Sequence, residues 1–388
     1  MITYTLIISI FFWLFLTFFW GRFPFSREPF FWSNKVLFKS STKKNRLPPA
    51  KIKIVIPARN EEQNICTTLS KLISQIGVNY FIIIVDDNST DSTSDITKNF
   101  FKKNRFDNFK IIKGLKLPTN WSGKIWAMKQ GVEFALKDKE EFYLLFMDAD
   151  ISLEKNVLKS LVDKLNSEKL EMISLMAKLN CKFFWEKILI PSFIFFFQKL
   201  YPFNLVNKSS NYFAAAAGGC ILTRSKIFRQ QDLFEEIKNK VIDDCNLARL
   251  IKKKGKIWIG LTNCVISERK YKKLGEIWQM VSRTAFEQLK NSITILLLSL
   301  FGLMILYLLF PLILIISIFN FEILNFLLAL AGYSLISVIY LPTIKFYNLS
   351  KLNALILPFS ALIYIFITLN SAINYYLGYG NVWKERKY

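Results

Sequence analysis

The chain has 388 residues, of which 52% are hydrophobic and 16% aromatic, and its formal net charge is +23. It contains no histidine, which excludes histidine metal sites and histidine general bases and leaves acid–base chemistry to Asp, Glu, Lys, Tyr or Cys. Its five cysteines are scattered without a C-x-x-C pair, which fits a reducing compartment and argues against a zinc site or a disulfide framework.

The chain begins with an almost entirely apolar segment, residues 2–20, that is long enough to cross the hydrocarbon core of a bilayer. No small-residue cleavage site follows it, so we predict an uncleaved anchor at residues 1–21. A basic linker follows at 22–50, with Arg22, Arg27, Lys35, Lys39, Lys43, Lys44 and Arg46. By the positive-inside bias, this flank and the region after it are predicted to lie in the cytoplasm. Together with the apolar stretches near the C-terminus, this predicts a multi-pass protein of the plasma (inner) membrane.

Residues 51–273 alternate short apolar runs with helical patterns and form the predicted catalytic domain. Ile52–Ile56, Tyr80–Val85 and Tyr143–Met147 are typical of buried strands. Asn60 precedes the first helical pattern and is expected to cap that helix. Strands that alternate with helices predict an α/β fold with a doubly wound, mostly parallel sheet.

Acidic residues follow two of these strands. Asp86 and Asp87 follow the second strand, and Asp148 and Asp150 follow the strand that ends at Met147. Residues i and i+2 of an extended chain lie on one face, so Asp148 and Asp150 can reach the same site. Paired oxygen ligands suit Mg²⁺ or Mn²⁺, which in turn binds diphosphate; the alternative is a solvated strand end.

A second acidic pair, Asp243 and Asp244, begins a segment that becomes basic and ends at Gly255. This pattern predicts a helix whose charges complement its dipole. The two carboxylates have two interpretations. They stabilise the N-terminus of the helix through its dipole, by about 0.3–1 kcal/mol each, or they take part in catalysis. The small residues of Ala214–Cys220 would let the backbone approach a ligand closely, or would pack in a tight turn.

The remaining segments are typical of a membrane protein. Residues 183–203 are rich in Phe but interrupted by charges and Pro191, and 274–292 form an amphipathic basic pattern, so both are predicted to lie at the interface. Residues 293–377 are predicted to form a membrane region with about three spans, Ile293–Phe319, Ile323–Ile344 and Leu352–Tyr375.

Two features of this membrane region are left open by the sequence. As a straight helix the first span would be about 40 Å long, against a core of about 30 Å, so it tilts, breaks near Pro311 or turns back. Lys345 and Lys351 place the next loop in the cytoplasm. Strict alternation would then put the basic tail, 378–388, on the opposite side, against the same charge bias.

Five motifs occur in a fixed order along the chain. They are Ile54–Glu62 (IVIPARNEE), Val85–Asp91 (VDDNSTD), Gly123–Ala127 (GKIWA), Asp148–Asp150 (DAD) and Asp243–Leu247 (DDCNL). Together they resemble the family 2 glycosyltransferases, inverting enzymes with a GT-A fold. More narrowly, four segments resemble the hopene-associated glycosyltransferases: Leu117–Gly131, Ile242–Arg249, Ser282–Leu289 and Trp383–Arg386. The resemblance covers about residues 47–388.

The resemblance implies a role for each matching position. The residues expected beside the nucleotide base and ribose are Pro57, Arg59, Asn60 and Glu61, with Asp86 or, preferably, Asp87 contacting the uracil or ribose. Lys124 is expected near the donor diphosphate. Asp148 is expected near the ribose and at the metal site, where Asp150 holds the Mg²⁺ or Mn²⁺. Asp244 matches the catalytic base, preceded by Asp243 where the family often has Glu.

The chain departs from the Gln-x-x-Arg-Trp motif of many processive members. It has Trp278–Thr284 (WQMVSRT) instead, which argues against a polysaccharide synthase and leaves Arg283 to bind the donor diphosphate or the acceptor. Inverting transfer needs one base to deprotonate the acceptor hydroxyl, and a carboxylate suffices.

These observations predict a glycosyltransferase that moves one sugar from a nucleotide sugar, a UDP-sugar by the resemblance, to a lipid hydroxyl, of hopanoid type by the narrower resemblance. A ceramide-like lipid, a carotenoid or a polyprenyl phosphate are alternative acceptors. A non-catalytic membrane scaffold that binds lipid is an alternative of another class. No nucleic-acid partner is expected, because the basic residues border apolar spans.

Overall fold

The computed structural model describes residues 1–20, 30–31, 49–210, 212–379, 382–383 and 386–387 of the chain. The basic residues predicted to flank the first apolar segment, Arg22 to Arg46, lie outside the described residues, as does Lys384 of the tail. Arg386 and Lys387 are described only as a short strand that pairs with Val382–Trp383.

A single mixed sheet organises the region from residue 51 to 267. Its strands are β1 (Lys51–Ala58), β2 (Asn79–Asp86), β3 (Phe109–Lys113), β4 (Tyr143–Met147), β5 (Ile151–Leu153), β6 (Met172–Lys178), β7 (Cys220–Arg224) and β8 (Ile257–Ser267). Their order is β8-β6-β7-β4-β1-β2-β3, with Phe30–Phe31 outside β8. Only β7 within this order runs antiparallel to its neighbours, and β5 pairs antiparallel with β8. The predicted mostly parallel α/β sheet is confirmed.

Helices cover both faces of the sheet, as a doubly wound fold requires. Those of this domain are α2 (Ile65–Leu72), α3 (Thr93–Lys103), α4 (Gly123–Ala135), α5 (Val157–Ser167), α6 (Phe184–Leu200), α7 (Phe203–Val206), α8 (Ser225–Gln230), α9 (Leu233–Ile237), α10 (Asp243–Lys252) and α11 (Leu274–Gln288). Ile54 of β1 joins the apolar layer under α2 and α5, whereas Val55 joins the layer under α4. On α4, a Cβ at Gly131 would lie 2.4 Å from Val55 Cγ1, so this close packing requires glycine.

The expected cap at Asn60 is wrong. Helix α2 begins only at Ile65, after Asn64. Asn60 has a left-handed backbone with φ of 51°, and its Oδ1 accepts a hydrogen bond from Thr90 N at 2.9 Å. Asn60 therefore joins the loop after β1 to the loop after β2, because both loops leave the same edge of the sheet.

The terminal helices form a separate apolar bundle. Its members are α1 (Ile2–Phe18), α12 (Ile293–Leu303), α13 (Leu309–Phe319), α14 (Ile323–Phe346) and α15 (Leu357–Tyr376). Three segments are long and apolar enough to cross a membrane: 293–319, 323–346 and 351–376. The predicted N-terminal anchor is shorter than expected, because α1 has 17 residues and is about 26 Å long.

The first long segment is continuous but contains a π-helical turn at Met304–Leu308. Pro311 follows this turn and cannot donate a backbone hydrogen bond, so wider winding before it is the expected local adjustment. The indole of Trp13 donates to Leu306 O at 2.9 Å and ties α1 to this turn. The irregularity predicted near Pro311 thus lies one turn earlier and does not end the helix.

Helix α6 connects the sheet domain to the apolar bundle. At its N-terminus the fully buried Glu186 accepts hydrogen bonds from the backbone N–H groups of Lys182, Phe183 and Tyr271, at 2.8, 3.0 and 2.6 Å. In its middle, Ser360 and Tyr364 of α15 donate to the carbonyl groups of Ile188 and Leu189, both at 2.9 Å. The two halves of the protein therefore share α6 as a common structural element.

Candidate active site

A cavity of about 1100 Å³ lies at the carboxyl ends of the central strands. Pro57, Asn60 and Glu61 line it after β1, and Asp148 and Asp150 line it after β4. Four more of the lining residues come from the surrounding helices and loops: Lys124, Asp243, Arg269 and Arg283. The cavity therefore has the position at which open α/β sheets bind ligands.

Lys124 lies between two carboxylates from distant parts of the chain. Its Nζ is 2.7 Å from Asp148 Oδ1 and 3.6 Å from Asp243 Oδ2. Helix α4 places it there, because Ser122 begins that helix and accepts a hydrogen bond from Ile125 N. Burial lowers the pKa of Lys124, but the surrounding carboxylates outweigh burial and raise the pKa well above its usual value. Lys124 is therefore a fixed positive charge in the cavity.

For Asp148, burial outweighs the opposite charge nearby in setting the pKa. Burial raises the pKa of this carboxyl group above its usual value, although the nearby Lys124 opposes that rise. The charge of Asp150 adds to the rise.

Asp244 is held at the first turn of α10 by backbone amides. Its Oδ2 accepts from Gly218 N at 2.8 Å, and its Oδ1 accepts from Cys245 N at 2.7 Å. Burial and then the charge of Asp243 raise the pKa of Asp244 to about 6, although Lys124 and the amides lower it. A carboxylate with this pKa is ionised at neutral pH and is basic enough to act as a general base toward a hydroxyl group.

Gly218 brings the segment 214–220 against this acidic pair. A Cβ at Gly218 would lie 3.1 Å from Lys124 Nζ and 3.3 Å from Asp244 Oδ2. The backbone N–H of Gly218 donates to Asp244, so this segment approaches protein side chains closely, and its predicted approach to a ligand stays a prediction. Asp243 itself lines the cavity, so the two acidic residues of the motif differ in exposure to it.

Arg269 bridges two acidic residues that line the cavity, Asp150 and Glu61. Its Nε is 2.9 Å from Asp150 Oδ2, and its Nη2 is 2.9 Å from Glu61 Oε1. The exposed fractions of the two acidic side chains are 13% for Asp150 and 8% for Glu61. Burial lowers the pKa of Arg269, but Asp150 and Glu61 outweigh burial and raise the pKa above its usual value. This network joins the loops after β1, β4 and β8.

The predicted nucleotide-side residues divide into two groups. Pro57, Asn60 and Glu61 line the cavity. Arg59 instead donates to the carbonyl groups of Asp87 and Asn88, at 2.7 and 2.8 Å. The side chain of Asp87 is buried, whereas Asp86 Oδ1 accepts from Ser89 N at 2.9 Å within its own turn. The structure thus gives Arg59 and Asp86 a role in shaping the loop after β2, and nucleotide contacts by Asp86 or Asp87 stay predictions.

The side of the cavity next to α6 and α11 is partly apolar. Met176, Leu179, Phe193 and Met280 line it there. Arg283 of α11 lines the same side, and its buried Nε has no hydrogen-bond partner among the described residues. A ligand with both apolar and anionic or hydroxyl parts matches this lining.

The carboxylates fit a divalent cation only together with a ligand. No cluster of three or more His, Cys, Asp or Glu residues that could hold a metal ion occurs in the described part of the chain. Asp148 and Asp150 are each paired with a cationic side chain. Mg²⁺ is commonly held by one or two carboxylates plus substrate phosphates, so the two residues suit an ion whose remaining ligands come from a bound diphosphate.

Arg269 is the main site residue that the sequence analysis missed. It follows Glu268 directly after the long buried strand β8. Polar residues after a buried strand were the signal for Asp86 and Asp148, and the same signal exists at 268–270. It was missed because strand order is needed to show that β8 ends beside the loop after β4.

Comparison with known proteins agrees with this geometry. Residues 53–231 match the family model described as Glycosyl transferase family 2. The match includes β1, the two aspartates after β4 and Lys124, and it ends before Asp243. The fold resembles that of the mannosyltransferase PcManGT from Pyrobaculum calidifontis, solved with GDP-Man and Mn²⁺, with a TM-score of 0.53, 13% identity, and coverage of 94% of this chain and 98% of that chain. The expected GT-A fold is confirmed.

Two curated relatives match parts of the chain. The 4,4'-diaponeurosporenoate glycosyltransferase of Staphylococcus haemolyticus is 32% identical over 105 residues, which are 26% of this chain and 24% of that protein. A dolichyl N-acetyl-alpha-D-glucosaminyl phosphate 3-beta-D-2,3-diacetamido-2,3-dideoxy-beta-D-glucuronosyltransferase of Methanococcus voltae is 35% identical over 115 residues, 29% of this chain and 33% of that protein. The matched region thus spans about a quarter to a third of these relatives.

Proposed function

We propose that this chain, whose residues 53–231 match the family 2 glycosyltransferases, is an inverting glycosyltransferase that moves a single sugar from a nucleotide sugar to a lipid hydroxyl. The observation that carries this proposal is the cavity itself. Its lining combines the charged side chains of Asp148, Asp150, Lys124 and Asp243 with four apolar side chains, those of Met176, Leu179, Phe193 and Met280.

Asp244 acts as the general base in this proposal. It removes the proton of the acceptor hydroxyl as that oxygen attacks the anomeric carbon from the face opposite the leaving diphosphate. Its pKa is raised to about 6 but stays below neutral pH, so the carboxylate is mostly ionised there. Asp243 lines the cavity beside it and positions the acceptor, while the amides of Gly218 and Cys245 fix the orientation of the Asp244 carboxylate.

Cationic side chains stabilise the departing diphosphate. Lys124 stays protonated, so it can neutralise negative charge that develops on the leaving group. When bound to Asp148 and Asp150, Mg²⁺ or Mn²⁺ would supply further charge stabilisation. Pro57, Asn60 and Glu61, which line the cavity, bind the nucleotide in this proposal, and by the family resemblance that nucleotide is UDP.

A lipid acceptor follows from the location of the apolar lining residues. Helix α6 carries Phe193 into the cavity and packs its other residues against α14 and α15, for example Phe195 against Tyr340 with ring centroids 5.0 Å apart. The names of two relatives, which include 4,4'-diaponeurosporenoate and a dolichyl-linked sugar phosphate, are consistent with an apolar acceptor. A hopanoid-type hydroxyl is the specific acceptor that we propose, with ceramide-like, carotenoid and polyprenyl-phosphate acceptors as alternatives.

The paths of the long helices suggest a membrane topology with the catalytic domain and the tail on one side. Helix α14 ends beside the sheet domain, where Lys178 Nζ lies 4.8 Å from the ring centroid of Phe346. The chain then turns back, and Tyr333 donates to Leu355 O at 2.6 Å. Tyr333 is about 20 Å from the end of α14 by helical rise, so residues 351–356 run back into the bundle.

Helix α15 then returns toward the sheet domain. Ser371 accepts from Phe286 N of α11 at 3.0 Å, and the rings of Tyr375 and Phe286 are 5.3 Å apart. We therefore propose that 351–376 enters and leaves the membrane on one side, and that α12–α13 and α14 cross it. This arrangement puts the basic tail on the cytoplasmic side with the catalytic domain, as the positive-inside bias favours.

Nucleotide release by the detergent-purified full chain tests the proposed function. UDP- and GDP-sugars would be offered with Mn²⁺, with and without a total lipid extract, beside the Asp244→Asn variant. Release that depends on one donor, on the lipid and on Asp244 supports the proposal. If no donor is turned over and none raises the unfolding temperature of the protein, the alternative hypothesis of a non-catalytic lipid-binding scaffold is favoured.

A further inference from the structure

Arg269 occupies a carboxylate to which the proposed function assigns a metal. Asp150 is the proposed metal ligand, yet its Oδ2 is 2.9 Å from Arg269 Nε. We infer that Arg269 is a donor-site residue that neutralises Asp150 and Glu61 in the free protein, so that divalent cation binds well only together with the donor diphosphate. This inference rests on the proposed function, because it assumes a nucleotide-sugar donor.

The guanidinium group is held in place from several sides. Strand β5 pairs with β8 so that Ile151 lies opposite Ser267, and Glu268 N donates to Asp150 O at 2.7 Å. Asn180 donates to the carbonyl groups of Ser267 and Arg269, at 3.0 and 2.9 Å. A residue whose backbone is fixed in this way keeps its side chain beside Asp150 without a bound ligand.

The charges explain why the free site is a weak metal site. Asp150 and Glu61 carry two negative charges against the single positive charge of Arg269. A divalent cation that approached Asp150 would meet a guanidinium group about 3 Å from the same carboxylate and would be repelled by it. Among the described residues no group of three or more His, Cys, Asp or Glu side chains could hold the ion, so it also has few protein ligands.

A bound diphosphate changes both conditions. It supplies oxygen ligands for the ion and negative charge that a guanidinium group can bind in bidentate fashion. Arg269 lines the cavity together with Lys270 and Lys272, so it can exchange one carboxylate partner for a phosphate without leaving the site. The inferred consequence is that cation and donor bind with positive coupling, each raising affinity for the other.

The test measures Mn²⁺ binding rather than turnover. Detergent-purified full chain would be titrated with Mn²⁺ alone, with free Mn²⁺ followed by its electron paramagnetic resonance signal. The Arg269→Gln variant should bind Mn²⁺ about tenfold more tightly than the wild type, because a positive charge beside the ligand is removed. Adding Asp150→Asn to this variant should abolish the gain.

Lys270→Gln is the matched control. Lys270 is exposed, lines the same cavity and carries the same charge, but Asp150 is paired with its neighbour Arg269. An equal gain in Mn²⁺ affinity in Lys270→Gln would overturn the inference, since the effect would then be a general loss of positive charge. Unchanged Mn²⁺ affinity in Arg269→Gln would overturn it as well.

A second titration uses UDP or GDP in the presence of Mn²⁺. Arg269→Gln should weaken nucleotide binding while it tightens binding of Mn²⁺ alone, and a merely destabilised protein would not produce shifts of opposite sign. If Arg269→Gln does not fold, Arg269→Met provides the same test, because it also removes the positive charge beside Asp150 and keeps an unbranched side chain. If the wild type binds neither nucleotide, the proposed function fails, whereas the Mn²⁺ comparison still decides the role of Arg269.

Discussion

Lys124 Nζ lies 2.7 Å from Asp148 Oδ1, although Lys124 lies in the first turn of α4 and Asp148 follows β4. The contact links the Gly-Lys motif to the Asp-x-Asp motif, which are separated by a complete helix and strand. Because Asp243 Oδ2 also lies 3.6 Å from the same ammonium group, Lys124 connects its own motif with two others of the sequence. Its substitution is therefore informative about all of them.

Lys124→Met should reduce kcat by about 10²–10³-fold, the loss typical when one fixed group that stabilises developing charge is removed. The methionine is similar in length, so the change removes charge with little change in packing. Steady-state kinetics would show the loss mainly in kcat. Lys129→Met is the matched control, because Lys129 lies on the same helix and pairs with Asp232 and Glu133 outside the cavity. An equal loss of kcat in both variants would contradict the role of Lys124.

The pH dependence of the reaction should report Asp244. If Asp244 is the base, kcat/KM should fall about tenfold per pH unit below the pKa of about 6. The sign follows because the protonated carboxyl cannot accept the proton of the acceptor hydroxyl. Asp244→Asn should remove this acid limb together with most of the activity, as measured by rates between pH 4.5 and 8.

Asp243→Asn distinguishes the two acidic residues. The charge of Asp243 raises the pKa of Asp244, so its removal should move the acid limb to lower pH while activity persists at neutral pH. The opposite outcome would assign the base to Asp243 instead. In that outcome Asp243→Asn is inactive at every pH, whereas Asp244→Asn keeps its activity.

Gly218→Ala tests the close approach of the backbone to the acidic pair. The added Cβ would lie 3.1 Å from Lys124 Nζ and 3.3 Å from Asp244 Oδ2, so these groups must shift by a few tenths of an ångström. Misplacement of catalytic groups is costly, and we expect a loss of kcat of about tenfold or more. Gly275→Ala is the control because its Cβ would meet nothing within 4 Å. Equal values of kcat in the Gly218→Ala and Gly275→Ala variants would contradict this prediction.

The central parallel strands could be predicted from the sequence because buried parallel strands are short apolar runs, whereas β5, β7 and β8 were not predicted. Tyr143–Met147 was predicted with the bounds that the structure shows. The role of Arg269 could not be predicted, since it depends on the antiparallel pairing of β5 with β8. Periodicity reveals which face of a strand is buried, but it does not reveal which distant strand lies beside it.

The membrane helices show the same limit. Their apolar lengths identify three long segments. Length alone would predict that each of the three crosses the membrane completely, whereas the proposed topology has 351–376 enter and leave on one side. The direction of 351–376 follows from two particular contacts, those of Tyr333 with Leu355 and of Ser371 with Phe286. Neither contact has a signal in the sequence, because serine and tyrosine are also common in helices that cross a bilayer completely.

The proposed topology predicts where two tags can be reached from outside the cell. An epitope placed between Asn320 and Phe321, in the turn between α13 and α14, should be accessible in intact spheroplasts. An epitope after Tyr388 should be accessible only after the membrane is permeabilised, because 351–376 returns to the side of the catalytic domain. The reason is geometric, since α15 ends beside α11, where the rings of Tyr375 and Phe286 are 5.3 Å apart.

A third epitope inside the sheet domain, after Asn104 at the end of α3, fixes the reference side. It should behave like the C-terminal epitope, and nucleotide release by each tagged protein would show that the fold is intact. If the epitope after Tyr388 is accessible in intact spheroplasts while the one after Asn104 is not, 351–376 crosses the membrane completely. Strict alternation would then hold, and the positive-inside bias of the tail would be overridden by the helices.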